Sequence, residues 1–326
     1  MKTGKLPNSI LKEIILDKVK YKRDDILLRP GVGEDCCAID MKGNACVLSS
    51  DPITGAVSNI GTLAVHINCN DIASCGIEPL GILVTILAPP DTTIEELDKV
   101  MSQITEAADE INVEILGGHT EITDAVNRII ISGTAVGKAP VKKIISTKGA
   151  RPGDKVLFTG FAGLEGTAII SYDKEEEILK TFGEEFLERA RTCLKNISVV
   201  KEGKLAGEYG VSAMHDVTEG GVLGAVWEMS EGSCVGARIY RGQIPVMKET
   251  TDICNFYGID PLKLISSGCM LIACADGDGL ARFLKENGVN VSIIGEFTET
   301  TEKKIVSDIA ETDINEPDTD ELYNIV

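Results

Sequence analysis

Short apolar stretches that read as strands alternate with longer helical stretches through most of the chain, which restricts the fold to sheets covered by helices. SILKEIILDKVK, from Ser9, carries apolar residues at helical spacing behind Pro7 and Asn8, a plausible helix start. RPGVGEDCCAID is a turn leading into extended chain, and ACVLSSD is a short strand ending at Asp51. NIGTLAVHINCNDIASCG reads as a helix lined with small residues and stopped by Gly76. GILVTILAP is a strand, and the helix TIEELDKVMSQITEAADEIN follows it with Glu95 and Glu96 in the first turn, where the helix dipole favours acids. VEILGGHTE and NRIIISGTAVG are further strand candidates.

The Lys-, Gly- and Pro-rich run GKAPVKKIISTKGARPGDKV marks the domain junction. A first α+β or α/β domain then covers 1–145 and a second α/β domain 150–310, beginning at KVLFTG. The second continues through helical sequence from Glu165 to Gly207, the loop HDVTEGG, a helix at VLGAVWEMS, and strands in LISSGCMLIACA and VNVSIIGEF. The acidic, weakly patterned segment 311–326 is expected to be an exposed or partly ordered tail.

With 326 residues and 43% apolar content, two domains can each bury a core. The net charge of −19 argues against nucleic acid, whose phosphates require clustered Lys and Arg. No window approaches twenty uninterrupted apolar residues and no secretion-signal run opens the chain, so a cytoplasmic protein without a membrane partner is expected. Ten cysteines, scattered singly apart from Cys36-Cys37, read as buried thiols, and the three histidines have no zinc-ligand spacing. With so many acids, the expected metal is a hard cation.

Four acids stand where strands or turns end beside glycine or small residues: Asp35 in GVGEDCCA, Asp51 in LSSDP, Asp71 in NCNDIA and Asp216 in HDVTEGG. A magnesium triphosphate site needs a few carboxylate oxygens, and glycine lets backbone N–H groups approach phosphate. Each motif also has a plainer reading. Gly31 and Gly33 could form only a tight turn, and the full dinucleotide spacing is missing. Asn70-Asp71 could be a solvated polar pair, although small neighbours suggest a crowded place where it needs partners. Gly117-Gly118-His119-Thr120-Glu121 could be a strand-ending turn or a phosphate-side loop. Asp216 or Thr218, ahead of Gly220-Gly221, could cap the next helix, whose start is equally an anion site.

In order, GVGEDCCAI, SSDP, NDIASCGIEPLGIL, GGHTE, GDKVLFTG, HDVTEGG and ISSGCMLIA resemble the AIR synthase-related superfamily, which includes PurM, ThiL, SelD and HypE. The resemblance covers nearly the whole chain and is strongest to the hydrogenase expression/formation proteins of the HypE type. It implies a two-domain PurM-like fold, with an N-terminal domain that pairs with its twin through a shared β-barrel and a C-terminal α/β domain against it. It also implies ATP and Mg²⁺ in the cleft, with metal ligands at Asp35, Asp51 and Asp71. Gly31, Gly33, Asn70, Gly117, Gly118, Thr120, Glu121, Gly220 and Gly221 would line the nucleotide site, and Asp71, His119 and Asp216 would serve catalysis.

The implied chemistry is ATP-driven phosphorylation of a carbonyl-type oxygen, or phosphoryl transfer to a small-molecule or carrier-bound acceptor. The alternatives are a non-catalytic ATP-binding accessory protein in hydrogenase metallocentre maturation and a kinase resembling thiamine-monophosphate kinase. Three departures bear on these. HypE proteins carry a terminal cysteine, whereas the last cysteine here is Cys274; kinase-like members carry aspartate where His119 stands; and no cysteine precedes Cys36, unlike SelD.

Overall fold

The computed structural model describes residues 3–54 and 59–325. A short helix, α1 (Asn8–Ile14), precedes the first sheet. That sheet comprises β1 (Ile26–Leu28), β2 (Cys36–Asp40), β3 (Asn44–Ser49), β4 (Pro52–Ile53), β5 (Pro79–Ala88), β6 (Glu114–Ile122) and β7 (Ile130–Pro140). Its order is β1-β2-β3-β7-β5-β6, with β4 also on β7, and only β5 and β6 run parallel. Two helices, α2 (Ile60–Ser74) and α3 (Ile94–Glu110), cover one face. The α3 start is a complete capping box: the Thr93 hydroxyl accepts the Glu96 N–H and the Glu96 carboxylate accepts the Thr93 N–H.

The core under α2 joins Ala38, Val47, Ile82, Ile86, Ile131 and Ala135 to Leu63, Ile72 and Ile104. The other face is open: Leu80, Leu83, Leu116 and Ile122 are exposed, and β6 is an exposed edge strand. Gly117–Glu121 therefore lie inside β6 rather than in a turn after it. Gly118 is required there, because a Cβ would sit 1.7 Å from the Val84 carbonyl oxygen of β5. The expected junction is likewise ordered, since Gly137–Pro140 finish β7 against β3.

The second half has β8 (Lys155–Thr159), α4 (Leu164–Asp173), α5 (Glu175–Phe182), α6 (Glu184–Arg191), α7 (Val200–Tyr209), β9 (Ala213–Asp216), α8 (Gly221–Ser233), β10 (Gly236–Tyr240) and α9 (Lys248–Tyr257). It ends with β11 (Met270–Cys274), α10 (Gly277–Glu286), β12 (Val291–Thr298), β13 (Lys303–Val306) and β14 (Glu311–Asp313). The sheet order is β14-β13-β10-β12-β8-β11-β9. Alternation along the strands splits the apolar residues between two layers. Val156, Phe158 and Leu271 face α8, while Leu157, Ile272 and Met270 pack with Leu280 and Leu284 of α10. α4, α5, α6 and α9 form a helical annex with its own core.

The expectation of an exposed tail is corrected at several positions. Ile314, Asp320 and Leu322 are buried, and Leu322 joins the annex core. Scattered apolar residues without periodicity gave no signal, but each finds its own pocket. Among the ten cysteines, Cys234, at the end of α8, is exposed rather than buried.

Candidate active site

The two halves meet over a cavity of about 380 Å³. Three carboxylates line one end: Asp35 just before β2, Asp51 just after β3 and Asp71 near the end of α2. Asn68, one turn before Asp71, accepts the Asp51 N–H at 2.9 Å and donates to the Asp51 carbonyl at 3.3 Å, fixing that strand end against the helix. The Ser49 hydroxyl donates to Asp71 Oδ2 at 2.5 Å. β9 then brings His215 and Asp216 behind the wall, where ligand atoms of Asp35, His215 and Asp216 lie within 4.8 Å of one another. Asp216 is 2% exposed, and neither of its oxygens has a hydrogen-bond partner among the described residues.

The charges divide into two groups. Burial, and then the nearby Asp216, Asp35 and Asp51, push Asp71 well above the usual carboxylate range. Burial and the Asp35 charge likewise push Asp216 up to about 7. His215 lies between Asp35 Oδ2 at 3.3 Å and Glu228 Oε2 at 3.0 Å. Burial alone would lower the imidazole, but these two carboxylates outweigh it and raise it to about 10. The same pairing holds Asp35 below the usual range against its burial. Glu228 resists its own burial through the Lys5 charge and the His215 hydrogen bond, and falls to about 2. Lys5 Nζ sits 3.3 Å from Glu228 Oε1.

A hard divalent cation such as Mg²⁺ fits this donor set. Asp35, Asp51, Asp71 and the orphaned Asp216 offer hard oxygens with excess negative charge. His215, inside the same cluster, is pushed towards its charged form by Asp35 and Glu228, which favours a counter-charge role over a ligand role.

The other expected site residues fall into four groups. Gly33, at φ +65°, lets the 30–34 turn lie on α8, where a Cβ would meet the Glu228 Cβ at 3.0 Å; Gly31 opens the same turn beside Lys148. Asn70 is spent within the protein, donating to the Ile197 carbonyl at 2.7 Å and accepting the Val199 N–H at 2.8 Å, so it clips α2 to the second half instead of facing the cavity. The Gly220 N–H donates to Asp320 Oδ2 at 2.7 Å, which places a tail carboxylate where an anion was expected, and Gly221 N–H turns back to the Thr218 carbonyl. Gly117, Gly118, His119, Thr120 and Glu121 lie outside the cavity lining; His119 is exposed on β6, with Nε2 3.4 Å from Glu121 Oε2.

Lys5, Asn68, Glu165, Glu228 and Tyr323 were not singled out from the sequence. Glu228 left a signal, standing alone among the apolar residues of VLGAVWEMS, the context of a buried acid that needs a partner. Lys5 and Tyr323 left none.

The AIR synthase related protein N-terminal domain matches residues 33–139 and the corresponding C-terminal domain residues 151–308. The chain belongs to the AIR synthase related protein family. Within it, a putative hydrogenase expression/formation protein of Methanocaldococcus jannaschii is 29% identical over 319 residues, 94% of this chain and 92% of that protein. A carbamoyl dehydratase HypE of Cupriavidus necator is 30% identical over 279 residues, 82% of this chain and 77% of that protein. A thiamine-monophosphate kinase of Pyrococcus horikoshii is 31% identical over 209 residues, 64% of this chain and 62% of that one. Among solved structures, a HypE–HypF complex superposes with TM-score 0.78 at 24% identity, covering 95% of this chain and 100% of that one. A HypE in complex with ATP superposes with TM-score 0.70 at 18% identity, covering 98% of each. The family's two-domain PurM-like fold is thus the fold of this chain. No described helix is long and apolar enough to cross a membrane.

Proposed function

We propose that this chain is an ATP-dependent enzyme of the HypE-like branch, holding Mg-ATP at the Asp35, Asp51 and Asp71 end of the cavity and phosphorylating a small-molecule or carrier-bound acceptor in metallocentre maturation. The observation that carries this reading is the convergence of those three carboxylates, with the unsatisfied Asp216 behind them, from segments far apart in sequence. The solved HypE with ATP and the HypE relatives named carbamoyl dehydratase point the same way.

Bound Mg-ATP would supply the phosphoryl group. This chain's residues would hold and orient it: the carboxylates as oxygen ligands, Asn68 and Ser49 fixing two of them, and His215 keeping Asp35 ionised. Pairing of two copies through β6 would cover Leu80, Leu83 and Leu116 and bury the edge strand, placing His119, Thr120 and Glu121 on that interface. A sedimentation mass equal to one 34.8 kDa chain at micromolar concentration would refute the pairing.

Calorimetric titration with ATP, with and without Mg²⁺, tests the site. Tight binding that depends on Mg²⁺ and weakens in Asp71→Asn is expected, since the substitution removes a ligand charge at constant shape. Binding that ignores both Mg²⁺ and the substitution would sink the reading.

A further inference from the structure

The cavity is also lined by α4 and by the segment before β11. Glu165, in the first turn of α4, and Ser267 both line it, with Ile169 and Ile265 as apolar walls. Glu165 is 3% exposed and Ser267 1%. The Ser267 N–H reaches Glu165 Oε2 at a long 3.4 Å, and the Ser267 hydroxyl, near enough to Glu165 to oppose the rise in its proton affinity, completes no hydrogen bond of good geometry among the described residues. A buried carboxyl and an unsatisfied buried hydroxyl, side by side on a cavity wall, are costly to keep unless a ligand completes them.

We propose that Glu165 is the catalytic base that receives the acceptor's proton, with Ser267 as the hydrogen-bonding group that orients the acceptor beside it. This rests on the nucleotide reading above. Phosphorylation of an acceptor oxygen forms a bond from that oxygen to the γ-phosphorus. The bond from phosphorus to the β,γ-bridging oxygen breaks, and ADP leaves with the electron pair. The proton on the acceptor O–H, or on the N–H of an amide reacting through its oxygen, must go to a nearby base.

The other carboxylates of the cavity are committed. Asp35, Asp51 and Asp71 form the proposed metal end, and Glu219 accepts the Lys5 N–H at 2.8 Å and the Tyr323 hydroxyl at 2.9 Å. Glu165 remains. Its surroundings also set a useful proton affinity. Burial raises it to about 7 against the opposing Ser267 contacts, and Asp320 from the tail and Glu219 from the loop before α8 add to the rise, while Tyr323 borders the same space. A base near neutrality is half ionised at working pH and can both take and return a proton. The apolar walls and the paired hydroxyl and carboxyl suit a compact neutral acceptor carrying an amide or hydroxyl.

The test uses the full chain, Mg-ATP and water as the probe acceptor, measuring ADP release across pH together with ATP binding by calorimetry. Wild-type turnover should rise with pH through a midpoint near 7. Glu165→Gln should lose about 100-fold or more of that rate and its pH limb while binding ATP with unchanged affinity. Glu165→Asp should restore part of the rate, and Ser267→Ala should slow turnover while keeping the limb. Wild-type rate and pH dependence in a folded Glu165→Gln would overturn the proposal. So would a wild type that binds Mg-ATP and releases no ADP at any pH. Absence of ATP binding by the wild type would sink the nucleotide reading, and this inference with it.

Discussion

Beside β2, the half-buried Asp35 and the buried Glu228 are paired with His215 and Lys5 and held below their ordinary proton affinities, whereas on α4 Glu165 has two acids, Asp320 and Glu219, for neighbours and rises to about 7. Glu228 and Glu165 are about equally buried, so burial does not explain the contrast between them; the presence of a counter-charge does. A compensated carboxylate stays ionised and can fix a cation or hold a scaffold. An uncompensated one keeps its proton close to neutrality, ready to exchange it or to give it up to a bound cation. Asp216 stands between the two cases: it lies beside His215 yet is raised to about 7, and a bound cation would complete it.

The sharpest way to break this contrast is to remove the counter-charge. His215→Gln should cost about 3 kcal/mol in denaturant unfolding, because the buried Glu228 would be left with Lys5 as its one close counter-charge among the described residues and the half-buried Asp35 would lose its imidazole partner. The pH dependence has a definite sign. With its imidazole raised to about 10, the stabilisation from His215 is complete below its ordinary 6.5 and is lost as pH rises through 10. That from Glu228 is complete above its ordinary 4.5 and is lost as pH falls towards 2. The stability difference between wild type and variant should therefore be largest and level between 4.5 and 6.5 and shrink on either side.

For Glu165 the sign reverses. Glu165 has an ordinary value of 4.5 and a folded value of about 7, so its ionisation disfavours the folded state as pH rises through that interval. Glu165→Gln should be more stable than wild type above neutrality, by up to about 3 kcal/mol at ~1.4 kcal/mol per pH unit, and close to wild type at low pH. Thermal unfolding of both proteins on either side of neutrality reads this, and a variant less stable at high pH would show that Glu165 has a counter-charge after all.

The smallest effect concerns the tail. Tyr323→Phe removes the hydroxyl that donates to Glu219 Oε1 and should cost about 0.5–1.5 kcal/mol, seen as a small fall in unfolding midpoint. No change would mean that the other tail contacts, those of Leu322 and Asp320 among them, hold it without this hydrogen bond.

Some of this contrast was visible in the chain itself. Asp35, Asp51, Asp71 and Asp216 each stand at an element end beside small residues, a local pattern that survives without any partner in view. The β6 residues misled because Gly117-Gly118 read as a turn, whereas φ values of +138° and +150° serve a strand pressed against β5. Asn70 misled because its neighbours indicate crowding but not direction, and its amide faces the backbone at Ile197 and Val199.

The sequence by itself determined the alternation of strands and helices, the family, and the four acidic element ends, because these are set by short-range periodicity and by motifs a few residues long. Only the tertiary structure decided which acids have counter-charges. Lys5 meets Glu228 across 223 positions, and Ser267 meets Glu165 across 102. The ionisation of a buried group depends on the charges within a few ångströms of it, and in a chain folded through two sheets those charges come from segments that no local pattern connects.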